Sequence, residues 1–322
     1  MRVVLAVDGS IAADRARDFV ARLALPADTL VRAVAVMDGG PALSGTTWSD
    51  DASESKHGTE SHRQHLLRAL DTTRETLEAA GLSHVDSVLL LGVPAHAIID
   101  EADDYHADLL VVGHRGRGAL ATTLLGSTST ALVEHAHCPV LVVREPKVGR
   151  VLLADDGSAS SREAVEAVAR WPIFEHLPVT VVSIADVRIP IAIEVQPVIY
   201  EQVVESYIES ADTAREQTTS IAARTADKLA AAGRHARFEM HEGAPAAGIV
   251  EAATSLGVDL IVMGTRGHTG LARLALGGTA RSVVLHAPCS VLVVRGLRAA
   301  DAEVPLATPR TDDTAPVAAT RS

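Results

Sequence analysis

The sequence predicts an α/β protein built from two tandem doubly wound domains, each a five-stranded parallel sheet with helices on both faces. Three observations predict it. Residues Ala107 to Arg144 and Val258 to Arg295 align without a gap and share 20 of 38 positions, and Arg2 to Ser10 (RVVLAVDGS) returns as Arg150 to Ser158 (RVLLADDGS). When both ends of a unit recur, the chain holds two copies of one fold. Short β-branched runs alternate with longer helical patterns, and the strands read as continuous apolar stretches, as parallel strands buried on both faces do. Finally, 47% of the residues are hydrophobic but only 2% are aromatic, so the cores are built from Ala, Val, Leu and Ile. At 322 residues the chain also exceeds the roughly 250–300 at which a single core stops growing.

The elements follow in the same order in both copies. A first strand (Val3 to Val7; Val151 to Ala154) ends in Asp-Gly-Ser, whose Ser10 or Ser158 can cap the Ala-rich helix that follows (Ala12 to Leu23; Ser160 to Trp171). A second strand (Leu30 to Val36; Val179 to Ile184) leads through a variable loop to a long helix (His62 to Ala80; Ala211 to Ala232). The third strand (Ser87 to Leu91; Ala236 to His241) precedes a Gly-x-Pro step and a helix near Ile98 or Ile249. The fourth strand (Leu109 to Val112; Leu260 to Met263) enters a glycine motif, a helix (Thr130 to His135; Arg281 to His286) and the closing strand (Val140 to Val143; Val291 to Val294).

The predicted domains are residues 1–145 and 149–296, joined by a short linker containing Pro146, with an Ala/Pro/Thr/Asp-rich disordered tail over 297–322. The variable loops differ between copies. Gly39 to Gly58 is polar and expected to be flexible, whereas Val187 to Tyr200 is apolar and expected to pack against something, such as a second chain.

Net charge is −12, which argues against sequence-independent binding to nucleic acid, where Lys and Arg must neutralise phosphates. Cys138 and Cys289 occupy equivalent positions before the last strands and read as small buried residues rather than a disulfide. No run approaches 18 apolar residues, and no leader precedes the first strand, so no membrane span and a cytoplasmic location are expected. The 14 histidines show no metal-ligand spacing. No nucleophile with a base, and no paired acid and base, recurs in both copies, so no catalytic residue is expected.

The motif carries the chemistry. In the first copy Gly113, Gly116 and Gly126 are followed by Ser127 and Thr128; in the second Gly264, Gly267 and Gly277 are followed by Gly278 and Thr279, with the same spacing. The first two glycines fall just after a strand, where a parallel sheet places its binding crevice and where a missing Cβ lets backbone approach a ligand. The third falls where a helix begins, and free amides at a helix start suit a phosphate. Arg115 and Arg266 correspond, and either reach a phosphate or sit in solvent. No G-x-x-x-x-G-K-[ST] occurs. Gly116 to Ala121 fits a dinucleotide G-x-G-x-x-A pattern, but Thr269 replaces Gly118 in the second copy.

With the strand ending in Asp8-Gly9-Ser10 or Asp156-Gly157-Ser158, the G-x2-G-x9-G signature and the closing VLVVR strand in order, both copies resemble universal stress protein domains, with a Rossmann-like fold of the adenine nucleotide alpha hydrolase kind. The resemblance spans nearly everything except the tail. It implies the ATP-binding branch of that family, with ATP carrying Mg2+ as the ligand. It would place Asp8 and Asp156 near ribose or adenine, Val36 and Ile184 at the adenine edge, and the glycines, Ser127, Thr128 and Thr279 around phosphate and ribose. Gly278 stands where a Ser is usual. A nucleotide-dependent stress regulator with a protein partner is implied, against the alternatives of a slow ATPase or nucleotidyl-transfer enzyme and a nucleotide-free scaffold. The resemblance also implies that the two closing strands pair within the chain, leaving a homodimer of the tandem chain to form through Ile189 to Val198.

Overall fold

The computed structural model describes residues 1–38, 52–115, 125–187, 197–267 and 276–297. The first half runs β1 (Arg2–Ala6), α1 (Ile11–Val20), β2 (Leu30–Met37), α2 (Ala52–Ala79), β3 (His84–Leu91), α3 (Pro94–Asp104), β4 (Leu109–Gly113), α4 (Ser127–His135) and β5 (Val140–Val143). The second repeats it as β6 (Val151–Ala154), α5 (Ala159–Arg170), β7 (Val179–Ala185), α6 (Pro197–Ala231), β8 (Ala236–Glu242), α7 (Pro245–Leu256), β9 (Leu260–Gly264), α8 (Gly278–His286) and β10 (Ser290–Val294). A 3-10 turn at Pro172–Phe174 interrupts the passage from α5 to β7.

All ten strands form one sheet, ordered β3-β2-β1-β4-β5-β10-β9-β6-β7-β8. Pairing is parallel within each half and antiparallel only between β5 and β10, where Leu141 faces Leu292. The two expected five-stranded sheets are therefore fused through their last strands. Side chains alternate across the junction. Leu141, Val143, Leu292 and Val294 join the core beneath α1, α2, α5 and α6, while Val140, Val142, Val291 and Val293 join the core beneath α3, α4, α7 and α8. Each hydrophobic layer thus runs unbroken from one half into the other.

Local chemistry explains the turns that shape the crevices. After β1 and β6 the chain reverses at Gly9 (φ 71°) and Gly157 (φ 75°), in the left-handed region that favours glycine. The next residue then caps a helix: Ser10 Oγ accepts from the Ala13 amide at 3.2 Å, and Ser158 Oγ from the Ser161 amide at 3.1 Å. These helices bury Ala16, Phe19, Ala164 and Val168 against the sheet.

Both variable loops end earlier than the sequence predicts. The predicted loop Gly39 to Gly58 gives way to helix at Ala52, and the predicted apolar loop Val187 to Tyr200 gives way to helix at Pro197. Leu66, Leu70 and Leu77 of α2 and Ala222 and Leu229 of α6 are buried. A helix nucleated by such anchors extends with one hydrogen bond per added residue, without needing apolar periodicity in the extension. The rest of both loops, Ile189 to Val195 included, and the tail beyond Leu297 lie outside the described residues.

Candidate functional site

In each half the central strand sends its successors to opposite sides. β1 lies between β2 and β4, and β6 lies between β7 and β9. Such a reversal opens a crevice beyond the carboxyl ends of the strands. A cavity of about 500 Å³ fills that position in the first half, and one of about 400 Å³ in the second.

The first cavity is lined by Asp8 after β1, Val36 and Asp38 at the end of β2, Gly113 and Arg115 after β4, and Gly126, Ser127 and Thr128 at the start of α4. The second is lined by Asp156, Ile184, Asp186, Gly264, Arg266, Gly267 and Thr279. Gly277 and Gly278 stand beside that wall rather than on it. Gly277 is the N-cap of α8, its amide donating to the Thr265 carbonyl at 2.8 Å, and Gly278 is exposed. Gly116 lies outside the described residues. Of the expected residues, the structure thus gathers seven around the first cavity and six around the second.

Packing adds a reason for glycine at Gly113 beyond ligand approach. A Cβ there would lie 2.4 Å from the Ala12 carbonyl oxygen, and at Gly264 it would lie 2.4 Å from that of Ser160. These glycines let the first turn of α1 or α5 press against the strand end, and both also line their cavities.

The two ends of each cavity differ in chemistry. At one end α4 and α8 begin three residues earlier than the sequence pattern indicates, so Ser127, Thr128 and Thr279 lie within the first helical turn. No side chain caps either helix, in contrast to α1 and α5. First-turn amides therefore face the cavity beside Arg115 or Arg266, a combination that suits an anion. At the other end Val36, Pro94 and Ile98, and their counterparts Ile184, Pro245 and Ile249, provide apolar walls. A ligand with a flat apolar ring and an anionic tail matches both ends.

The acidic groups are distributed unequally. Asp8 Oδ1 accepts from the Ser10 amide at 2.9 Å, and Asp156 Oδ1 from the Ser158 amide at 3.0 Å. Asp155 also reaches the second wall beside Asp156, because β6 ends at Ala154 and strand alternation no longer applies. Its carboxylate is engaged, with Oδ2 accepting from Thr225 at 2.6 Å and Oδ1 from the Gly157 amide at 2.9 Å. Beside the first motif, burial together with Arg144 and Arg115 pushes the His114 imidazole below its ordinary range.

Sequence reasoning missed Asp38 and Asp186. Each stands two residues beyond Val36 or Ile184, so the repeat itself carried the signal. It also left out His62, which α2 brings to the first cavity. No histidine lines the second among the described residues.

Comparison with known proteins bears on this arrangement. The profile of the universal stress protein family matches residues 1–144 and again 147–295. A universal stress protein of Methanocaldococcus jannaschii is 32% identical over 149 residues, covering 45% of this chain and 83% of that protein. One of Mycolicibacterium smegmatis is 28% identical over 306 residues, covering 91% of this chain and 96% of its own. The crystal structure of a universal stress protein from Archaeoglobus fulgidus superposes with a TM-score of 0.62 at 18% identity, over 92% of this chain and 98% of that one, a likeness of fold. No helix among the described residues is long and apolar enough to cross a membrane.

Proposed function

Because this chain belongs to the universal stress protein family and carries its domain twice, we propose that it binds ATP, one molecule in each half, as a nucleotide-dependent regulator in the cytoplasm. One observation supports this above the rest: in both halves an uncapped helix start, an arginine and an apolar recess converge on one cavity at the strand-order reversal. In this reading the triphosphate lies against the first turns of α4 and α8, with Gly126, Ser127 and Thr128, or Gly277, Gly278 and Thr279, supplying amides and hydroxyls. Arg115 and Arg266 balance its charge. The adenine rests against Val36 or Ile184, and Asp8 or Asp156 receives ribose hydroxyls. Magnesium accompanies the triphosphate. ATP binding shifts the population of a surface that a regulatory protein partner reads.

Mass spectrometry of protein purified without added nucleotide tests this directly. Bound ATP, or calorimetric uptake of two equivalents by emptied protein, is the expected result. Gly126→Val should lose one equivalent and keep the other. Protein that contains no adenine nucleotide and takes up none overturns the proposal.

A second reading has support only in the first half. There His62 and Asp38 line the cavity and offer a base toward a water molecule near the ligand. Slow hydrolysis at that pocket would appear as ADP accumulating in wild-type protein but not in His62→Ala.

A further inference from the structure

The residue closing each last strand crosses to the opposite half. Arg295, just after β10, donates from Nη1 to the carbonyls of Glu134 (3.0 Å) and Ala136 (3.1 Å) and from Nη2 to that of Val133. Those carbonyls belong to the last turn and cap of α4, in the first half. Arg144, just after β5, donates from Nη2 to the carbonyls of Val284 (2.9 Å) and Leu285 (3.0 Å), in the last turn of α8. Each motif helix therefore begins at its own cavity and ends in the grip of the other half's arginine.

Both guanidinium groups are more than half removed from solvent, and burial pulls both below arginine's ordinary range. A desolvated cation is tolerated there because it satisfies carbonyls that a helix end leaves open and meets the negative end of the helix dipole. The same two side chains feel the cavities of their own halves. Arg266, on the second cavity wall, also lines a cavity together with Arg295 and repels it. Arg115, on the first, follows His114, whose amide donates to the carbonyl of Val143 next to Arg144 at 2.9 Å, and it repels Arg144.

We propose that Arg144 and Arg295 are positioning residues that couple the two pockets, so that ATP in one half raises the affinity of the other. This rests on the nucleotide assignment made above. A triphosphate beside Arg266 offsets that side chain's charge and relieves its repulsion of Arg295. Arg295 then holds the C-terminal carbonyls of α4 more firmly, and the N-terminal amides of α4 stay ordered for the first pocket's phosphates. The mirror route runs from Arg115 through Arg144 and α8 to Thr279. Coupling of this kind is reciprocal by thermodynamic necessity. A helix of nine residues is a rigid carrier for it.

The test is calorimetric titration of the full chain with ATP, alongside Val36→Trp and Ile184→Trp, which fill the apolar end of one pocket at a distance from the arginines. Each tryptophan variant reports the constant of its single open pocket, and in wild-type protein the product of the two stepwise association constants should exceed the product of those two constants by at least about fivefold, the low end of typical coupling. Arg295→Gln and Arg144→Gln should each bring the coupling close to onefold while two equivalents still bind, and Arg295→Lys should restore part of it. A merely structural clamp would alter stability and leave that excess unchanged. A wild-type product equal to that of the two single pockets, or coupling that survives in both glutamine variants, overturns the inference while the nucleotide assignment stands. If the glutamine variants do not fold, Arg295→Lys decides: coupling below that of the wild type supports the inference, and full coupling overturns it. Absence of ATP binding in the wild type sinks the nucleotide assignment and this inference together.

Discussion

At the scale of single residues, the tightest constraint in each half is a hydrogen atom where a side chain would otherwise stand. Gly113 has 2.4 Å between its notional Cβ and the Ala12 carbonyl oxygen, a contact backbone cannot relieve cheaply. Gly113→Ala should therefore destabilise the protein by about 2–3 kcal/mol, the upper range for overpacking, read as a lowered midpoint in urea. Gly278 is the opposite case, since nothing lies within 4 Å of a Cβ added there. Gly278→Ser should fold normally and strengthen ATP binding in the second half by about tenfold, the worth of one hydrogen bond to a charged group. Cys138 and Cys289 are each 7% exposed, and burial pushes both thiols up to about 12. Neither should react with a thiol reagent at pH 8 in the native state. Because the folded values lie above the unfolded ones, the stability these thiols contribute is intact below about pH 8.5 and declines as pH climbs toward 12. The identity of the important glycines was legible from their spacing. The reason for Gly113 was not, because the contact is with a helix about one hundred residues away in sequence.

At the scale of elements, most strands were readable nearly to the residue, since continuous β-branched runs favour that interpretation in a doubly wound sheet. β3 is the exception: it begins at His84, three residues before the expected Ser87, because its first half is polar and half-exposed. Helix starts were read well where a side chain announces them. Ser10 and Ser158 are caps in the structure as in the sequence, and Ser10→Ala or Ser158→Ala should cost about 1 kcal/mol each in thermal or denaturant unfolding. Starts without such a signal were misplaced. α4 opens with Ser127-Thr128-Ser129, weak helix formers without apolar spacing, so periodicity finds it only from Thr130. What holds that turn is tertiary: Ser129 Oγ donates to the Gly113 carbonyl at 2.7 Å, tying the helix to the strand end. The misplaced turn is also the one proposed to hold phosphates: the glycine motif marked its residues, while periodicity missed that they are already helical. Asp38 and Asp186 went unnoticed for a related reason, since each follows a strand end where alternation gives no orientation.

At the scale of the whole molecule, the relation between the halves is set by one strand pair. Leu141 and Leu292 are equivalent positions in the two copies and face each other, while Val140 pairs with Val293 and Val142 with Val291. Each residue meets the counterpart that a two-fold axis would deliver, so the contact is isologous in form although it lies within one chain. Residues 1–147 alone would leave β5 as an unpaired edge with Leu141 able to face its own copy, and that fragment should dimerise in sedimentation experiments. The tandem chain should show an unfolding temperature independent of protein concentration over a hundredfold range, whereas the fragment's should rise with concentration.

The connection through residues Glu145 to Gly149 has an evolutionary corollary. In an assembly of identical subunits every substitution is made twice, once on each side of the axis, and a change that helps one site burdens its twin. A covalent tether removes that bond between the sites, because the partner surface is supplied at fixed effective concentration whatever its sequence. Glycine at 278 where the first half has Ser127, the histidine at position 62 and the unlike segments after β2 and β7 are each present on one side only. The tether leaves the two halves of a symmetric scaffold free to differ.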